Sequence, residues 1–173
     1  MDTQTFWKLI ETARAQAEPD RVAQRAAALL AEYPAPEVAA AQQVLWDLLA
    51  ESYRAPLWAA AYLINGGCSD DGFDYFRGWL LTQGEATFTA ALADPDSLAA
   101  HPQVSAAAAG GEYLEDERAL SIAWTAYGSA TGKPLPSDSF TITYPSLDPS
   151  WDFDFGDRTE IARRLPRLAA LFA

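Results

Sequence analysis

The chain has 173 residues, half of them hydrophobic, which suits one domain with ample material for a core. It carries 24 acids against 12 Lys plus Arg, a net charge of −12, with a single cysteine and a single histidine. That balance disfavours nucleic acid and anionic membranes as partners, and one cysteine excludes an internal disulfide framework. No apolar run approaches the roughly 18 residues of a membrane span, and the start Met1-Asp2-Thr3-Gln4 lacks the pattern of a secretory signal. The expectation is a cytoplasmic protein with no cofactor.

Apolar spacing predicts helices almost to residue 132. Phe6, Leu9, Ile10 and Ala13 share one face after an Asp2 or Thr3 cap. Pro19 restarts the chain, and Val22, Ala26, Leu29 and Leu30 mark a second helix. Pro36 and Glu37 suit the first turn of a third, which carries Val38, Ala41, Leu45 and Leu48. Pro56 opens a fourth, Leu57 to Ile64, apolar nearly all round and therefore expected to be central.

Gly66 and Gly67 stop that helix, because glycine enters the left-handed region cheaply. Ser69 is placed to cap the next helix, with Asp70 and Asp71 at its positive end. Phe73, Phe76, Trp79 and Leu80 form its inward face, and Phe88, Ala91 and Leu92 a shorter segment up to Asp94-Pro95. His101 to Gly111, with four alanines and two glycines, reads as a surface loop or linker. Glu112, Glu115, Asp116 and Glu117 then read as the start of a long helix with Leu120, Ala123, Trp124 and Tyr127 inward.

The tail differs. Pro134 to Asp157 holds four prolines, five aspartates and no base. Phe140 to Tyr144 alternates, without an obvious partner strand. Trp151, among the alternating acids and aromatics of residues 150 to 155, is expected to pack the tail onto the bundle or meet a partner. Asp157 and Glu160 resemble a capping box opening a last helix, which Pro166 bends or splits. The expected architecture is all-α: a helical-bundle-like core over 1–132, an irregular acidic arm over 133–157, and a closing helix over 158–173.

Three blocks carry a resemblance. They are the opening Phe6-Trp7-Lys8-Leu9-Ile10-Glu11, the centre from Tyr53 through Gly66-Gly67-Cys68-Ser69-Asp70-Asp71 to Leu80, and Asp94-Pro95-Asp96-Ser97-Leu98. Together they resemble a family of bacterial domains, common in actinobacteria, known only as a domain of unknown function. The likeness covers roughly residues 1 to 132. It implies a helical fold and supplies no catalytic residue, ligand or partner.

The chemistry-bearing residues are few. Cys68 precedes a helix start, but Asp70, Asp71 and Asp74 would raise its pKa, and the only imidazole is His101; a packed thiol is the expected state. One His and one Cys exclude ordinary zinc patterns, and no catalytic residue or metal site is assigned. Asp70 and Asp74, one turn apart, have the spacing to share a hard cation, although acids opening a helix explain them as well. From Glu37 to Glu117 there are 13 acids and only two bases, Arg54 and Arg77. These two are expected to pair with Asp70, Asp71 or Asp74 across two helices. The leading functional expectation is a non-catalytic interaction module with an acidic face at Glu112, Glu115, Asp116 and Glu117, binding a basic protein. The alternative is a carboxylate-based, metal-assisted enzyme centred on Asp70, Asp71 and Asp74.

Overall fold

A computed structural model describes all 173 residues and contains helices and no β-strand. The α-helices are α1 (Thr3–Gln16), α2 (Val22–Leu30), α3 (Ala35–Glu51), α4 (Ala55–Asn65), α5 (Asp70–Thr82), α6 (Glu85–Ala93), α7 (Pro102–Gly110), α8 (Ile122–Thr131), α9 (Arg158–Arg164) and α10 (Pro166–Leu171). No helix is long and apolar enough to cross a membrane. A continuous core of 40 buried residues joins α1 to α8 with α9 and α10. Its largest members, among them Phe6, Ile10, Leu30, Leu45, Leu57, Phe73 and Phe76, are shut off from solvent, each side chain contributing about 1.5–3 kcal/mol by burial.

The local signals act as expected at the centre. Asp2 caps α1 by accepting from the Thr5 amide at 2.7 Å. Helix α4 begins with Pro56 in its first turn and ends at Gly66, whose φ of 67° is left-handed. Gly67 follows with φ 139°, and Ser69 accepts from the Gly72 amide at 3.1 Å to cap α5. Seven of the eleven residues of α4 are buried, consistent with a helix apolar on all sides.

Three expectations need correction. The alanine-rich stretch is a helix, α7, rather than a linker. Pro102 occupies its first turn, Gly111 closes it at φ 71°, and Val104 and Ala107 are buried. The acids after it do not open a helix. Residues 112–116 form no helix or strand, a 3-10 turn runs Glu117–Ser121, and the α-helix starts only at Ile122. Trp124 does not face the core; it is 39% exposed and meets Phe140 of the tail edge-on.

The residues from Lys133 to Asp157 form an arm across α3, α4 and α5. Every backbone–backbone hydrogen bond within it is local, and none reaches the bundle. Side chains hold it instead. Gln43 of α3 brackets Thr141, accepting from its amide at 2.7 Å and donating to its carbonyl at 3.2 Å. Phe140 stacks on Trp46, Tyr144 meets Tyr53 with ring centroids 5.0 Å apart, and Phe155 meets Tyr62. Beyond the arm, Pro166 separates α9 from α10. Asp96, buried in the 3-10 turn Pro95–Ala100, accepts from the amides of Arg167 and Leu168 and from the Arg167 guanidinium. It thereby caps α10 from another element, because Leu165 at that helix start has no side-chain acceptor.

Candidate functional site

The α4–α5 turn and the segment 112–117 are brought together by two buried attachments. Asn65, the last residue of α4, accepts from the Leu114 amide at 3.0 Å and donates to its carbonyl at 3.5 Å. One step further on, the Asp116 amide donates to the Tyr75 carbonyl of α5 at 2.9 Å. The approach is close enough that a Cβ on Gly78 would lie 2.5 Å from the Asp116 carbonyl oxygen. These contacts override the helical pattern of the sequence there and fix the segment as a non-helical strip against α5.

The strip places acids from two remote stretches on one surface. Asp70, Asp71, Glu112, Glu115 and Glu117 are exposed, and none has an ion-pair partner. A carboxylate oxygen of Glu115 would lie 3.4 Å from a Cβ on Gly72, in the first turn of α5. Glu117 lies beside Tyr75, and its charge, followed by desolvation and the charge of Asp71, pushes that phenol's pKa up. Tyr113, in the same strip, is 70% exposed, the most exposed large hydrophobic side chain of the chain.

Asp116 departs from the expected acidic face. It is buried, and its carboxylate accepts from the Arg118 amide and guanidinium, closing the 3-10 turn. An aspartate that caps a turn turns inward and is unavailable to a partner.

Arg77 and Asp74 do pair, within α5 rather than across two helices. Arg77 is completely buried. One terminal nitrogen donates to Asp74 and the other to the Leu49 carbonyl at the end of α3. Its guanidinium lies 4.8 Å from the Phe73 ring centre and 5.1 Å from that of Tyr53, while its Nε has no partner. Burial lowers the Arg77 pKa and Asp74 opposes that shift; an arginine stays charged in either case. Asp74 also accepts from the Tyr144 hydroxyl of the arm at 3.3 Å, which desolvation and the Asp74 charge push to a higher pKa. Arg54 does not join this cluster. It is exposed, and its guanidinium donates to the Glu51 and Leu92 carbonyls, tying α4 to α6.

Asp70, Asp71 and Asp74 therefore do not converge around a common position. No group of three or more His, Cys, Asp and Glu side chains is arranged to hold a metal ion. The Cys68 thiol is pushed up to about 12, by burial first and by Glu115 second, which keeps it protonated and unreactive near neutrality. His101 is held below its ordinary value by burial and by Arg14; its neutral Nδ1 accepts from the Gln103 amide to cap α7.

The family described as "Protein of unknown function (DUF4240)" matches residues 1–129. The chain belongs to this family. No curated protein and no solved structure matches the chain. The DUF4240 match includes α1 to α7, most of α8 and the acidic strip, and it stops before the arm and the closing helices.

A second concave region went unassigned in the sequence. The arm and α4 flank an open hollow of about 540 Å³ whose lining includes Trp58, Tyr62, Trp151, Phe153 and Phe155. The i, i+4 spacing of Trp58 and Tyr62 and the alternation of 151, 153 and 155 are visible in the sequence. That the two rows face each other depends on the path of the arm, which no local signal specifies.

Proposed function

We propose that this protein is a non-catalytic interaction module that presents the acidic strip along α5 to a basic protein partner. The observation that supports this reading is the set of five exposed, unpaired acids on the start of α5 and the segment 112–117, which Asn65 and the Asp116 amide hold together, with Tyr113 exposed in that segment. Free carboxylates around an aromatic side chain suit a lysine- or arginine-rich surface, with charge steering the encounter and Tyr113 as an apolar anchor. Asn65 and the Asp116 amide hold the strip in place before binding, which reduces the ordering cost of association.

The test is co-purification from native lysate at low salt, followed by association kinetics with the captured protein. Glu115→Lys with Glu117→Lys is expected to slow association by about tenfold or more while leaving the melting temperature nearly unchanged. The rate is expected to fall as salt rises. Cys68→Ser is expected to leave binding intact. An association rate that is the same at low and high salt overturns the proposal.

A further inference from the structure

We infer that the hollow between α4 and the arm is a binding site for a methylated ammonium cation. Five aromatic side chains line it, and all of them are half-buried. Trp58 and Tyr62 come from α4; Trp151, Phe153 and Phe155 come from the arm. The rings stand at steep angles to one another: Phe155 is at 66° to Tyr62 and 76° to Phe153, with centroids 6.1 and 5.3 Å apart. These edge-to-face contacts give the hollow walls of aromatic surface at several orientations, with Trp58 backed by a stack on Phe73.

The charge of the lining fixes the sign of the ligand. Two carboxylates, Asp148 and Asp152, border the hollow, and no lysine, arginine or histidine does. Neither aspartate has an ion-pair partner. The protein's charge of −12 adds to their attraction for a cation. Two of the five rings already hold a cation in cis, outside the hollow: the Arg164 guanidinium, paired with Glu160, lies 4.7 Å from Trp151 and 4.9 Å from Phe153. A methylated ammonium suits such walls better than a bare one. It carries its charge on apolar methyls and surrenders little hydration on entering, whereas a lysine ammonium is strongly hydrated. The site is distinct from the acidic strip, none of whose residues line it.

Two sources share this chemistry, a free trimethylammonium compound and the side chain of a trimethylated lysine. Choline and N-acetyl-trimethyllysine amide are therefore titrated separately into the full-length protein. Tryptophan fluorescence, with Trp58 and Trp151 in the walls, and calorimetry report binding. Saturable one-to-one binding of either probe is expected, and the tighter of the two identifies the source. The neutral carbon isostere 3,3-dimethylbutanol is expected to bind about tenfold more weakly or worse. Asp148→Asn and Asp152→Asn are each expected to weaken the cation severalfold and leave the isostere unchanged. Asparagine retains the capping capacity of Asp148, and Asp152 is exposed, so the fold is preserved in at least one of the two. Absence of saturable binding by both cations overturns the inference, as does an isostere that binds equally well.

Discussion

The bundle and the arm are ordered by different means. In the bundle, helices satisfy their own backbone and side chains interlock, down to a fully buried guanidinium. In the arm, no backbone–backbone hydrogen bond reaches the bundle, and a few side chains, Gln43 on Thr141 among them, fix its course. A substitution in the bundle is therefore felt globally, whereas one in the arm is felt along the arm.

The strongest test of this contrast is Asp74→Ala. It leaves Arg77 buried without its counter-charge, and a cost of about 3 kcal/mol is expected in chemical denaturation, at the low end for a broken buried pair because Asp74 is partly exposed. Gly78→Ala comes next. Helix propensity favours alanine by about 1 kcal/mol, but the new methyl meets the Asp116 backbone, and a net loss of about 1–2 kcal/mol is expected. Ser69→Ala removes the α5 cap and should lower stability by about 1 kcal/mol. In the arm, Phe140→Ala should lower the unfolding free energy less, by under about 1 kcal/mol, yet markedly speed limited proteolysis between residues 136 and 148. If it destabilises the whole protein as much as Asp74→Ala, the two regions are one cooperative unit and the contrast fails.

The smallest expected effect is a pH dependence. His101 has a depressed folded pKa, so the unfolded chain takes up the proton first as pH falls. Its contribution is complete above the ordinary value of 6.5 and is lost as pH drops below it. Denaturant midpoints at pH 7.5 and 5.5 should differ less in His101→Asn, which retains a capping side chain.

The sequence announces elements whose signals are local. Pro56, Gly66 and Ser69 mark the limits of α4 and α5, and apolar spacing identifies the buried faces of α1 to α5. Helix α7 was legible too: alanine has the highest helix propensity, and Pro102 and Gly111 bracket the run. Reading small residues as a linker gave the glycines too much weight. The non-helical strip at 112–116 was not legible, because Asn65 and Tyr75 impose it from 40 or more residues away in the chain. The inward turn of Asp116 follows from the same contacts. The aromatic hollow shares that limit, since each wall is patterned locally while the pairing of the walls is tertiary.

The arm's lack of backbone partners separates two properties that normally travel together. Amide hydrogen exchange reports whether an N–H is bonded within the protein, and most arm amides from Phe140 to Leu147 have only water to bond. They should exchange nearly as fast as those of an unfolded chain while Tyr144 and Phe140 remain seated on their rings. Solvent labelling would then record the segment as unstructured, while its side-chain NMR contacts record a defined position.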